Sequence, residues 1–264
     1  MRVWRVFATY LAAVAGIFAT SGIAILALKA MFPDMADHAL LQSLPGLIAG
    51  SLASSTALIL TVLIIVQPTT PASLRLLPGW ETGRALTVVV LGMLALGQFL
   101  DSVTWLVGWA QRGSMVMVRR VLESAVGPDL FGAVLVFGLI AGVAEEIFFR
   151  GFMLTRLREH WGGRRAIVAT AACFGVLHVD PNGIHMLLAF VMGLYLGFVA
   201  ERTGSTLPAI ACHVVNNVVY TLQTALGGTL EGRASNAALA TGCLVLFVAC
   251  LAWLRRPDLP AAPV

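Results

Sequence analysis

The chain has 264 residues, of which 59% are hydrophobic and only 11% charged, with a formal net charge of +4. Ordinary soluble domains carry about 25% charged residues, and a mean hydropathy of +0.90 excludes that class in favour of an integral membrane protein. The positive balance is no nucleic-acid signal, because the arginines stand at the ends of apolar runs, where membrane topology accounts for them.

In chain order, eight apolar segments are long enough to cross, or nearly cross, a bilayer: 6–29, 44–66, 85–110, 129–157, 164–180, 183–200, 206–226 and 236–254. The first follows "MRVWR" and resembles a signal peptide. It is too long and lacks an A-x-A-like exit, so it reads as a retained span. Turn chemistry marks the breaks: "MFPDMADH" after the first segment, "QPTTPASLRLLPGWETGR" after the second, "VGP" before the fourth and "DPNG" between the fifth and sixth. Pro208 falls in the first turn of the seventh, where a missing N–H costs little. Strand-period alternation is absent, so the expected fold is an all-α membrane bundle of about eight transmembrane helices. The tail "RRPDLPAAPV" reads as unstructured. Cys173, Cys212, Cys243 and Cys250 have no metal-ribbon spacing and read as small packing residues.

Basic residues orient the bundle. With the N-terminus inside and eight crossings, eleven arginines fall on the cytoplasmic side: Arg2, Arg5, Arg75, Arg84, Arg156, Arg158, Arg164, Arg165, Arg202, Arg255 and Arg256. Lys29, Arg112, Arg119, Arg120 and Arg233 fall outside. The bias places both termini in the cytoplasm of a cell inner membrane.

The fourth segment contains "AEEIFFRGFM", with Glu145, Glu146 and Arg150 inside the hydrocarbon. Each charge at a span centre costs roughly 2.5–3.5 kcal/mol on the insertion scale. The three must therefore face protein or a wet cavity. Glu146 and Arg150 are at i and i+4 with the acid first, the favoured order for a helical ion pair. Glu145 lies about 100° round the helix and lacks that partner. The spacing predicts that Arg150 holds Glu146 while Glu145 faces a cavity, free to take a proton.

"CFGVLH" sets Phe174 and His178 at i and i+4, and "HVVNN" does the same for His213 and Asn217. At about 1.5 Å per residue, Glu145 lies roughly 20 Å, His178 roughly 21 Å and His213 roughly 17 Å from the cytoplasmic arginines of their own segments. Three helices thus bring an acid, two imidazoles and an amide to one depth. A desolvated carboxylate can activate water as a general base. An imidazole can orient that water or polarise a carbonyl. His213 and Asn217, one turn apart, can donate hydrogen bonds to a developing oxyanion. Glu145, His178 and His213 also match the ligand set of a catalytic zinc site. Both schemes hydrolyse an amide or ester within the membrane.

"EEIFFR" matches EExxxR, "FGVLH" matches FxxxH and "HVVNN" matches HxxxN. In this order on consecutive segments, the chain resembles the CPBP family, which joins CAAX proteases with bacteriocin-processing enzymes and is also called Abi. The resemblance covers about residues 128–222, leaving 1–127 as N-terminal spans and 223–264 as a last span and tail. It implies intramembrane proteolysis of a membrane-associated, in some members prenylated, peptide or protein. Glu145 would activate water with His178 beside it. His213 and Asn217 would form the oxyanion site, and Glu146, Arg150 and Phe174 would support. The name metalloprotease is attached to the family. Water activation without metal is the favoured scheme here, with zinc left open. Expected partners are membrane lipid and the substrate, with no nucleic acid and no expectation for oligomeric state.

Competing protease patterns are missing: there is no HExxH and no GxGD. "ATSG" at 19–22 reads as small-residue packing. Asp101 reads as a lone acid satisfied near the outer face, with a place on the cavity wall as the lesser alternative. His185 reads as interfacial, and His38 and His160 as solvent-exposed. A non-catalytic scaffold or bacteriocin-immunity protein retaining the fold is the alternative function. A proton-coupled transporter would show inverted repeats or broken helices, and the sequence shows neither.

Overall fold

The computed structural model describes residues 1–228, 232–256 and 259. All regular structure among them is helical. In chain order the helices are α1 (Val3–Met31), α2 (Asp37–Leu41), α3 (Leu44–Ile65), α4 (Gly83–Leu106), α5 (Met115–Glu123), α6 (Gly127–Trp161), α7 (Gly163–Leu177), α8 (Ile184–Thr203), α9 (Leu207–Ala225) and α10 (Arg233–Leu254). The expectation of an unstructured C-terminal tail falls largely outside the described residues.

Their ends follow the turn chemistry. Ser43 caps α3 by accepting from the Gly46 N–H at 3.2 Å, and Thr82 caps α4 by accepting from the Ala85 N–H at 3.4 Å. Prolines sit in the first turns of α3, α6 and α9.

Six helices, α1, α3, α4, α6, α8 and α10, are long and apolar enough to cross a membrane. Two of the eight expected segments fall short of that description. Helix α7 has 15 residues, about 22 Å of rise. Helix α9 has 19 residues, but His213, Asn216, Asn217, Tyr220 and Gln223 dilute its hydropathy. Both belong to the bundle, and both carry candidate site residues. Short or polar helices can sit at membrane depth only where other helices cover their polar groups.

Helix α1 packs on α3, α4 on α10, α7 on α8, and α9 on both α6 and α4. Helix α6 runs through the middle. Its Phe148, Phe149, Phe152, Met153, Leu154 and Leu157 are fully buried, against Tyr10 of α1, Leu58 of α3, Leu196 of α8 and Cys212 of α9. Large apolar side chains such as Phe18, Ile23 and Leu26 point outward, as lipid-facing residues do. Association between helices in lipid then rests on close packing and hydrogen bonds rather than on hydrophobicity.

Close packing is most evident between α6 and α9. Gly138 and Gly142, one turn apart, face Val218 and Val214. A Cβ on Gly138 would stand 2.6 Å from Val218 Cγ2, and one on Gly142 3.0 Å from Val214 Cγ2 and 3.3 Å from the Val214 backbone. Only glycine permits this approach. Glu146 lies one further turn along the same stripe, so the glycines set its distance from α9.

One end of the bundle is tied by arginines. Arg75, in the segment between α3 and α4, donates to the carbonyls of Ala200 at 2.6 Å and Gly204 at 3.2 Å and pairs with Glu201 at 2.6 Å. Arg158 reaches the same Glu201 at 3.3 Å, and Arg202 donates to the Leu254 carbonyl at 2.7 Å. The segments ending α3, α6, α8 and α10 therefore meet at one end, as the grouping of these arginines requires.

Replacing Gly142 by leucine should force α6 from α9 and cost about 1–3 kcal/mol or more, the usual range for overpacking. Thermal unfolding of the purified protein in detergent checks this. Gly22→Leu, at a site with nothing within 4 Å of an added Cβ, should unfold at the wild-type temperature.

Candidate active site

Helix α6 is not uniformly α-helical where it carries the charges. Val134–Ile140 and Ile147–Leu154 are π-helical, and the α-helical stretch Ala141–Glu146 lies between them. A π turn widens the helix and frees side chains for unusual contacts. Both glutamates end the α-helical stretch.

Glu146 is fully buried. Its Oε1 accepts from the Arg150 guanidinium at 2.6 Å and from His213 Nδ1 at 2.8 Å. Arg150, also fully buried, donates a second N–H to the Gly193 carbonyl of α8 at 2.9 Å. Its guanidinium carbon lies 4.8 Å from the centre of the Phe174 ring. The expected Glu146–Arg150 pair is present. The link from Glu146 to His213 was not anticipated.

Glu145 turns the other way. It lines a cavity of about 540 Å³, with 17% of its side chain exposed. His178, His213 and Asn217 line the same cavity, so the residues expected at one depth do meet. His213 stands between the two acids, its Nε2 3.8 Å from Glu145 Oε2.

The hydrogen bonds set the tautomers. A carboxylate or carbonyl oxygen only accepts, so the nitrogen facing it carries the proton. His213 Nδ1–H donates to Glu146. His178 Nδ1–H donates to the Phe174 carbonyl at 2.8 Å. In each ring this leaves Nε2 uncommitted. Phe174 spaces the set, its centre 4.6 Å from the His178 ring, 5.8 Å from His213 and 5.1 Å from Phe149.

Two expectations change in detail. Asn217 Nδ2 donates to the Phe137 carbonyl at 3.1 Å, so only its second amide N–H is left for an oxyanion. With Nδ1–H held by Glu146, His213 can donate to an oxyanion only as the imidazolium. Among the described residues no three His, Cys, Asp or Glu side chains are grouped to hold a metal ion.

Sequence reasoning missed several lining residues. His185 lines the cavity, and its ring packs edge to face on His178 at 4.9 Å. Asp101 takes the lesser of the two places expected for it, on the cavity wall, and pairs with Arg119 of α5 at 3.3 Å. Tyr220 and Asn216, on the polar face of α9, complete that wall. The available signal was the i, i+3, i+4, i+7 run of polar residues from His213 to Tyr220. His38 and His160 are exposed as expected, His160 Nε2 lying 2.7 Å from the Met1 carbonyl.

Asp180, in the turn before α8, holds this end together. Its carboxylate accepts from the N–H of Ser114 at 2.7 Å, of Ile184 at 2.8 Å and of His185 at 3.3 Å. Burial works to raise its pKa, but the donors at Ser114, His185 and Ile184 outweigh it and hold the group below the usual carboxylate range. Gly113, at φ +81°, would place a Cβ 2.8 Å from that carboxylate, so glycine is required both by conformation and by space.

Glu146→Gln or Arg150→Leu should each cost about 3–5 kcal/mol by stranding the buried partner, seen as lost monodispersity or a large fall in unfolding temperature. The double variant Glu146→Gln/Arg150→Met should be less damaged than the two single losses combined.

No curated protein and no solved structure matches the chain. Residues 127–219 match the family described as "Type II CAAX prenyl endopeptidase Rce1-like". The matched stretch starts at α6 and ends in α9, and it contains both glutamates, Arg150, Phe174, His178, His213 and Asn217. Over this stretch the chain is similar to the CAAX prenyl endopeptidase family, and the helices around it are those of a multi-pass membrane protein.

Proposed function

We propose that the protein is an intramembrane endopeptidase in which Glu145 and His178 activate water against a peptide bond. The observation that carries the reading is the division of labour between adjacent acids. Glu146 is committed to Arg150 and His213, while Glu145 takes no such partner and faces the cavity.

In the first step a water oxygen attacks the carbonyl carbon while its proton passes to Glu145. His178 Nε2 accepts a hydrogen bond from the O–H that stays on the attacking oxygen and so orients the attack. The oxyanion takes the free N–H of Asn217 and, when protonated, Nε2–H of His213. Collapse breaks the C–N bond, and the proton held by Glu145 passes to the leaving amine. The scheme needs no metal. The substrate class is a membrane-associated protein or peptide, lipidated or not. The arginine-bound end of the bundle is placed in the cytoplasm, with both termini there.

Glu145→Gln and His178→Ala, expressed at wild-type level, should each abolish processing, so that membrane proteomes of the variant strains accumulate the same uncut proteins as a deletion strain. A scaffold or immunity protein would keep its phenotype with Glu145→Gln, and that result would overturn the reading. Asn217→Ala should lower the rate about 10²–10³-fold, the usual loss of one oxyanion donor. Exhaustive chelation should leave cleavage intact. Loss on chelation, restored by added zinc, would replace direct water activation with a metal scheme.

A further inference from the structure

His178 occupies an awkward place for a residue that must hold a water. It lies one position past the end of α7, with φ −89° and ψ 55°, outside the regular helix. Its backbone leads straight into the "VDPNG" turn. Two contacts limit its ring within α7, and both come from Phe174: the carbonyl that binds Nδ1–H and the ring, tilted at 60° with its centre 4.6 Å away. Both come from its own helix, and neither ties the ring to the turn or helix that follows.

The missing constraint comes from the next helix. The His185 ring lies 4.9 Å from His178 at 74°, an edge-to-face contact. His185 is held in turn. Its Nδ1 lies 3.4 Å from Ser114 Oγ, and its backbone N–H donates to Asp180, the carboxylate that also binds the Ser114 N–H. Gly113 allows the 109–114 segment to come close enough for both contacts. His178 is therefore gripped between Phe174 on its own helix and His185 on another.

We propose that His185 is a positioning residue for His178. It fixes the imidazole plane so that Nε2 points into the cavity beside Glu145, and the Asp180–Ser114 clamp fixes His185. The assignment rests on the proteolytic reading for its catalytic consequence, and on geometry alone for its structural one. Supporting residues with locked rotamers are what keep a reacting group within the narrow geometry that catalysis demands.

The test has two arms. In the first, a pool of internally quenched, N-acylated decapeptides is cleaved by purified protein in detergent. His185→Ala should lower kcat about 10²-fold, the scale of a small misplacement, with KM little changed. His185→Phe keeps the ring and should restore most of the rate. Ser114→Ala should give a smaller loss in kcat. In the second arm, imidazole ¹⁵N spectra of histidine-labelled protein report the His178 tautomer without any substrate. Wild type and His185→Phe should show one Nδ1–H form, and His185→Ala an averaged one. Should His185→Ala not fold, Ser114→Ala and His185→Phe carry the same comparison. The proposal is overturned if His185→Ala leaves both kcat and the His178 signals unchanged. It also fails if His185→Phe behaves like His185→Ala. If wild type cleaves no peptide while the spectra change as expected, hydrolysis is what fails and the positioning role stands.

Discussion

One carboxylate oxygen, Oε1 of Glu146, joins the elements that form the site. It accepts from Arg150 within α6 and from His213 on α9. Arg150 carries the connection onward to the Gly193 carbonyl of α8 and the Phe174 ring of α7. A buried ion pair is weak evidence for stability, because desolvation can exceed the Coulombic gain. Here the charges are spread over donors and acceptors from three further helices. In a bilayer, where apolar contact gives helices little reason to choose one another, such a node supplies register as well as attraction.

The same node separates two chemically identical residues. Glu146 accepts from two donors through Oε1, and Glu145 is offered only the distant edge of His213. Phe174 keeps both imidazoles and the guanidinium apart while touching all three. The glycine seam between α6 and α9 brings His213 close enough to Glu146 for a 2.8 Å contact. The π-helical stretches on either side sit where such helices recur, next to residues with unusual demands.

Much of this was legible because helical periodicity is strict. The i, i+4 relation of Glu146 to Arg150 and the 100° offset of Glu145 follow from the helix alone, and the structure has both. Depth counting brought His178 and His213 to one level because each segment starts from an arginine at the same end. What escaped depends on how the chain turns between helices. His185 returns to His178 only because the turn holding Asp180 reverses the chain, and Asp101 meets Arg119 only because α5 and α4 both pack on α9. No pattern along one helix reports such a crossing. Helices α7 and α9, two of the eight expected segments, fall short in length or hydropathy for a related reason: each carries polar residues that line the cavity inside the bundle.

The two ends of the bundle are closed differently. The arginines of one end are tied together through Glu201, whereas Trp109 and Arg112, exposed at the cavity rim, stand beside the Asp180 clamp at the opposite end. The seam at Gly138 and Gly142 packs α6 directly on α9. The cavity that Glu145 and His178 line therefore shares its rim with Trp109 and Arg112 and lies apart from the Glu201 ties.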